Sequence, residues 1–317
     1  MGRLRWISTE TVTMHSISIV RIIGNDLPPR HSPGQSVQNL STILEREPDF
    51  SDTIKIWVLN RIISFDLVAI LHEKITRAGH CCVVIPYRHS DYLLCPHYVP
   101  PPTTPIVFSC RKRRRLHIFS RRFRLMYITN VNPARNVAIA IGHTFARWAI
   151  PLDGNCMVAT DSLAKIKDLT SSLCLRYMVL PMMRGRESLT TSFPYLLESQ
   201  EPQVAFHKYA QCRFNWRYYY GRRDKAELLK RLGVTGSWAS WNTDPWEPEP
   251  PVQAVLSKEV AIAGSVLRLP SGYIDGELSS VKRTCSRDEA CIALLNRMDR
   301  IRVSRELSNN HSPFITE

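Results

Sequence analysis

What this chain of 317 residues lacks narrows the reading before anything it contains does. No window approaches eighteen uninterrupted apolar residues, so no membrane-spanning helix is expected. The opening MGRLRWISTETVTMHS is basic and polar and has none of the apolar core of a secretory leader. A soluble protein is expected. Nine cysteines stand at 81, 82, 95, 110, 156, 174, 212, 285 and 291 without a single C-x-x-C pair. An odd number at irregular spacing argues against a disulfide framework and reads as reduced thiols in a cytoplasmic, reducing setting. Only the loose group of Cys81, Cys82, Cys95 and His97 approaches a zinc set, and its spacing is poor. No internal repeat is visible. No Gly-rich phosphate-cradling loop follows the first apolar run, where NDLPPRH stands instead, and this argues against a sugar-phosphate nucleotidyltransferase.

What is present is a normal globular content of 44% hydrophobic residues and an uneven charge. The formal net charge is +14, but the stretch RKRRRLHIFSRRFR, residues 111 to 124, holds eight Lys or Arg and no acid. The rest of the chain carries only +6. Such a run reads either as a patch for nucleic acid or an anionic surface, or as a solvated insertion.

The first half alternates strand and helix signals. HSISIVRII is β-branched and apolar and gives way to the turn-rich GNDLPPRHSPG. QSVQNLSTILERE spaces Val37, Leu40, Ile43 and Leu44 at helical intervals, and TIKIWVLN returns to a strand. Asp66 is placed to cap LVAILHEKITRAG, with Gly79 as its stop, before the short strand CCVVIPY. This β-α-β-α-β rhythm predicts an open, mostly parallel sheet with helices on both faces. From 90 to 126 the rhythm fails, because VPPPTTP cannot be helix interior and the basic run follows it; an exposed loop or insertion outside the core is expected. Order then returns with a short strand near LMYITN, a helix over about 133 to 146, an apolar strand ending at Asp153 and a helix begun near Asp161. RYMVLPMM and PQVAFHKY are strand-like, DKAELLKRLG is an amphipathic helix stopped by Gly233, and GSWASWNTDPWEPEPP is a Trp- and Pro-rich linker. AIAGSVLRLPSG and SRDEACIALLNRMDRI close the chain as a strand with its turn and a terminal helix. The expected organisation is a main α/β domain over 15 to 236, a linker over 237 to 256 and a small α+β extension over 257 to 317.

The stretch WAIPLDGNC raises the functional question, because an apolar strand ends there on an acid beside a glycine. Its neighbourhood, NPARNVAIAIGHTFARWAIPLDGN, resembles a block of the nucleotide-sugar glycosyltransferases of the GT-A fold, especially the large inverting group. Those proteins open on an apolar strand ending in Asn, similar to ISIVRIIGN here. They carry an Ala-Arg-Asn helix before an apolar strand ending in Asp-x-Asp, with Asp153 at the first acid and Asn155 in place of the second. They close with an aromatic-rich approach to Glu-Asp, which FNWRYYYGRRDKAELLKRLG resembles, with Arg223 in place of Glu and Asp224 at the Asp. The resemblance covers roughly residues 15 to 233.

The resemblance implies a GT-A, nucleotide-diphospho-sugar transferase-like sheet and transfer of a sugar from a nucleotide-diphosphate donor to a hydroxyl of a glycan, lipid or protein, with inversion. It implies Mn²⁺ or Mg²⁺ held by Asp153 and Asn155, because a departing diphosphate needs its charge neutralised and hard cations prefer oxygen ligands. Asn155 brings no charge, which leaves metal dependence open. Gly154 would let backbone approach the ligand. Arg135 offers a planar fork to a phosphate, with a helix-surface Arg as the plainer reading. Asn136 reads equally as a packing residue, and Asn25 and Asn60 stand at strand ends near the expected base and ribose or as turn residues. Asp224 is the candidate general base and, equally, a helix N-cap. A catalytically degenerate relative that binds nucleotide or glycan, and a nucleic-acid-associated protein working through 111 to 124, are the alternatives.

Overall fold

The computed structural model describes residues 14–97, 109–184, 200–221, 223–236, 246–270 and 280–309. The β-branched run His15–Ile23 forms β1, and helix α1 (Gln35–Arg46) leads to β2 (Thr53–Asn60). Helix α2 (Phe65–Arg77) and β3 (Cys81–Ile85) complete the first βαβαβ stretch. Ser64, not Asp66, caps α2, accepting from the Leu67 N–H; Asp66 sits in the first turn beside the positive helix end. Gly79 follows that helix at φ 76°, a conformation glycine adopts without a Cβ penalty.

The stretch expected as a loop is mostly helical where it is described. Helices α3 (His89–Leu94), α4 (Cys110–Ser120) and α5 (Arg122–Thr129) stand there, and α5 replaces the expected short strand near LMYITN. The Pro run itself lies outside the described residues. Ile118, Phe119, Leu125 and Ile128 are spaced to form one apolar face, which packs against Leu294, Leu295 and Met298. The basic residues divide accordingly: Arg121 and Arg124 are buried and paired with Asp299, while Arg111, Lys112 and Arg113 face solvent.

Helix α6 (Val131–Phe145) runs into β4 (Ala146–Asp153), and a two-residue turn leads to β5 (Cys156–Val158). Helix α7 (Thr160–Leu169), β6 (Tyr177–Arg184), β7 (Gln200–His207), α8 (Ala226–Arg231), β8 (Val260–Ile262), β9 (Val266–Arg268) and α9 (Ser280–Asn309) follow. The described strands make one sheet in the order β3-β2-β1-β4-β7-β6-β9-β5, with β8 alongside β6. The half from β3 to β4 is parallel, but β7 runs antiparallel to both β4 and β6, and β5 is antiparallel to β9. The sheet is therefore mixed rather than mostly parallel. Because β8 and β9 pair with β6, residues 260–268 belong to the same sheet as the first strand.

Helices cover both faces. Residues of α1 and α2, including Leu40, Ile43, Leu71 and Ile75, pack on Ile23, Trp57 and Leu59, while α6 lays Ala138 on Val20, Ile56 and Val58 of the other face. Gly142 sets how closely α6 lies: a Cβ there would stand 2.4 Å from Ser18 Oγ and 2.8 Å from Ala149 Cβ. The far edge of the sheet curls back on itself. Arg21, fully buried in the middle of β1, donates Nε to the Cys156 carbonyl of β5 at 2.9 Å and a terminal nitrogen to Glu47. Glu47 also accepts from the Val158 N–H at 2.8 Å, so one ion pair ties the end of α1 to two distant strands. No described helix is long and apolar enough to cross a membrane.

Candidate functional site

Parallel pairing brings the carboxyl ends of β1, β2 and β4 together, with Ile22 beside Asp153 and Ile23 beside Leu59. In an open α/β sheet this edge is where ligands bind. A cavity of about 200 Å³ lies there. Asn25, Asn60, Arg135, Asp153, Gly154 and Asn155 all line it, so these sequence candidates converge. Asn136 and Asp224 do not line it.

The asparagines are partly committed to the fold. Asn25 donates to the Arg61 carbonyl at 2.8 Å and accepts from the Ile63 N–H at 2.9 Å. Asn60 donates to the Thr129 carbonyl at 2.9 Å and accepts from the Asn130 amide at 2.8 Å. Each primary amide has two N–H donors and two lone pairs, so each retains capacity for a ligand. Asn136 is a staple, its amide donating to the Phe214 carbonyl at 2.8 Å and accepting the Phe214 N–H at 3.0 Å.

The floor of the cavity is a chain of ion pairs. Arg135, one turn into α6 and only 5% exposed, donates one terminal nitrogen to Asp224 at 2.8 Å and the other to Asp153 at 3.0 Å. Asn132, three residues earlier on the helix, accepts from Arg135 at 2.8 Å and holds the Asp224 backbone carbonyl at 2.9 Å. Lys225 Nζ binds the second Asp153 oxygen at 2.7 Å, and the Gln203 amide reaches the same oxygen at 3.3 Å. Burial alone would raise the Asp153 carboxyl, but Lys225 and Arg135 overcome it and hold that carboxyl well below the usual range. Burial likewise works against the Arg135 charge, yet Asp153 and then Asp224 keep the guanidinium firmly protonated.

Asp224 is thus the partner of Arg135, not a helix cap. The cap position of α8 falls on Lys225, with no side-chain cap bond. Glu201 stands near this chain on β7, two residues from Gln203 and therefore on the same face of the strand. Burial, then the Asp224 charge, push its carboxyl up, against the pull of Lys225, Arg287 and Arg135. Arg268, at the end of β9, adds a cationic side chain to the cavity wall. Lys225, Gln203, Glu201 and Arg268 were not singled out from sequence. Lys225 directly follows Asp224, and Glu201 and Gln203 share one face of the polar first half of β7, so a polar pair at period two was the available signal.

The two residues after Asp153 are held by packing. A Cβ on Gly154 would meet the Ile22 carbonyl oxygen at 2.8 Å, so the glycine is required by β1 whatever binds in the cavity. Asn155 donates Nδ2 to the Leu269 carbonyl at 3.1 Å, while its own carbonyl accepts the Leu269 N–H at 2.8 Å.

These residues do not fit a divalent cation. Both Asp153 oxygens already face cations, the Asn155 amide nitrogen is turned to Leu269, and the described residues contain no cluster of three His, Cys, Asp or Glu able to hold a metal. A cation on Asp153 would have to displace or face two fixed positive charges, Arg135 and Lys225, that already share that carboxylate.

No protein-family model matches the chain, and no curated protein matches it. Among solved structures it is similar to the apo form of mouse xyloside xylosyltransferase 1, with 10% identity, a TM-score of 0.29 and coverage of 62% of this chain and 67% of that one. It is also similar to a glycosyltransferase involved in the glycosylation of the major capsid of PBCV-1, with 14% identity, a TM-score of 0.23 and coverage of 87% and 98%. Similarity at this level carries no functional weight.

Proposed function

We propose that the chain is a glycosyltransferase that moves a sugar from a nucleotide-diphosphate donor to a hydroxyl of a glycan, lipid or protein, with inversion. The observation that carries this reading is the convergence of Asn25, Asn60, Arg135 and Asp153 on one cavity at the carboxyl ends of three parallel strands. The spare amide capacity of Asn25 and Asn60 suits a nucleobase and ribose, and Arg135 with Arg268 supplies positive charge for the diphosphate. In the transfer, the acceptor oxygen bonds to the anomeric carbon from the face opposite the diphosphate. The bond from that carbon to the phosphate oxygen breaks, and its electron pair leaves with the diphosphate. The acceptor proton passes to a carboxylate. Asp224, bound to Arg135, suits the task of aiming that guanidinium as well as the role of general base, and Glu201 on β7 is a second carboxylate close enough to feel its charge.

A thermal-shift panel of UDP, GDP, CDP and dTDP, each with Mn²⁺ and with chelator, tests the reading. A ligand that binds only the folded chain at a hundred times its dissociation constant stabilises it by about 2.7 kcal/mol. One nucleotide should raise the melting temperature, and Arg268→Met, which removes a cation from the cavity wall, should weaken the rise. No rise with any of the four would sink the proposal.

A further inference from the structure

We infer that Lys225 takes up the Asp153 oxygen that a divalent cation would need, so that the chain carries its own fixed cation and the cavity binds its anion without metal. The inference rests on the functional reading above only for the identity of the anion. Lys225 Nζ lies 2.7 Å from Asp153 Oδ2, Arg135 lies 3.0 Å from Oδ1, and both cationic side chains are buried. Gln203 is the carboxylate's third donor and the second on Oδ2, which leaves few of its lone-pair directions open. Lys225 is itself placed by the chain: its carbonyl accepts the Leu229 N–H at 3.1 Å where α8 begins, and the preceding Asp224 is anchored by Arg135 through its side chain and by Asn132 through its carbonyl. The ammonium is therefore presented to Asp153 by the same residues that fix Arg135.

This arrangement sorts the charges by task. Arg135 and Arg268 face the cavity and can meet an incoming phosphate directly, while Lys225 lies behind Asp153 and does not line the cavity. A carboxylate left with Arg135 alone would compete with the ligand for that guanidinium. With Lys225 on its other oxygen, Asp153 is satisfied from behind, and the cavity-facing side of Arg135 keeps its attraction for an anion. The absence of a second acid at position 155 follows from the same design, because a site with a built-in cation has no use for a second ligand.

The test uses Mn²⁺ alone on the full chain, followed by electron paramagnetic resonance. The wild-type chain should hold no Mn²⁺ that depends on Asp153. Lys225→Met keeps the length of the side chain but frees one oxygen, and it should bind one Mn²⁺ at least about tenfold more tightly than wild type, since hard cations seek carboxylate oxygen. Adding Asp153→Asn to that variant should remove the ion, and Lys225→Arg should behave as wild type. Stoichiometric, Asp153-dependent Mn²⁺ on the wild-type chain would overturn the inference, as would a Lys225→Met chain that binds no better than wild type. Should Lys225→Met fail to fold, comparing wild type with Asp153→Asn still decides. In a second arm, a nucleotide diphosphate that binds equally in Mn²⁺ and in chelator supports the inference, and one that requires Mn²⁺ overturns it. If no nucleotide binds, the transferase reading falls, and the Mn²⁺ arm decides this inference alone.

Discussion

Strand β4 has a cationic neighbourhood at each end, and the two ends handle it in opposite ways. At the carboxyl end, Asp153 is ionised and shared between Arg135 and Lys225. Toward the amino end, the Trp148 ring lies 5.0 Å from His207 of the neighbouring strand, and the cations nearest that imidazole are Arg176, Arg147 and Lys208. Here burial, reinforced by those cations, pushes the His207 pKa down to about 4, so the ring stays neutral. One end keeps its charges by pairing them and the other avoids an extra charge. A paired charge beside a cavity can be offered to a ligand, whereas a neutral ring under a tryptophan can only pack. The comparison puts the proposed site at the Asp153 end and packing at the other.

The sharpest way to break the comparison is to remove the centre of the paired end. Arg135→Met takes one partner from Asp153 and the charged partner from Asp224, and truncating one member of a buried pair typically costs about 3–5 kcal/mol. Urea denaturation should show a loss of that order, and Asp224→Asn in the same background should recover part of it, because the orphaned charge is gone. A loss below about 1 kcal/mol would mean that the pairs behave as exposed ones.

The neutral end is tested by acid. The folded pKa of His207, about 4, lies below its ordinary value of 6.5, so between those values the unfolded chain takes up a proton that the folded chain refuses. The contribution is therefore fully present above pH 6.5 and is lost as the pH falls toward 4. A tenfold difference in proton affinity is worth about 1.4 kcal/mol, and after allowance for solvent screening the whole contribution comes to about 2–3 kcal/mol. His207→Gln should flatten the fall of stability across that window, and an unchanged slope would show that His207 titrates freely.

The paired end was only half legible in the sequence, for a physical reason. Asp153, Arg135 and Asp224 stood out because each ends a strand, lies in a recognisable helix block or begins a helix. Which of them touch depends on the antiparallel entry of β7 and on the turn before α8, and neither has a local signature. Lys225 and Gln203 were missed on that account. The regular elements fared better: TIKIWVLN and the strand ending at Asp153 appear as read, because each is a short apolar run, buried almost throughout, and bounded by turn residues, which are local properties. The basic run was misread because its charge density hid the spacing of Ile118, Phe119, Leu125 and Ile128, and because its partner Asp299 lies far away in sequence.

A smaller effect is expected at Gly154. A methyl group there would meet the Ile22 carbonyl oxygen at 2.8 Å and Ile23 Cγ1 at 2.9 Å, and backbone cannot move aside as a flexible side chain can. Overpacking of this kind costs about 1–3 kcal/mol. Gly154→Ala should lower the melting temperature with and without nucleotide by the same amount. If it weakened nucleotide binding while leaving the free chain's stability unchanged, the glycine would be serving the ligand and not β1.

The smallest expected effect decides most about the chemistry, because Asn155→Asp restores the second acid of an Asp-x-Asp pair. On a metal reading, the added carboxylate should strengthen a hard-cation site and bring tighter Mn²⁺ dependence. The geometry predicts otherwise. Asn155 Nδ2 donates to the Leu269 carbonyl at 3.1 Å, and a carboxylate in its place would set oxygen against oxygen. Losing one such hydrogen bond costs about 1 kcal/mol, and the new acid would face a strand end rather than Asp153. A modest drop in melting temperature is therefore expected, the same in Mn²⁺ and in chelator. Nucleotide affinity should also fall slightly in both, because a negative charge has been added beside the cavity wall that carries Arg135 and Arg268. A variant that instead gains stability only when Mn²⁺ is present would mean that the turn after β4 can swing its second residue onto a metal, and the assignment of Lys225 as the resident cation would have to be given up.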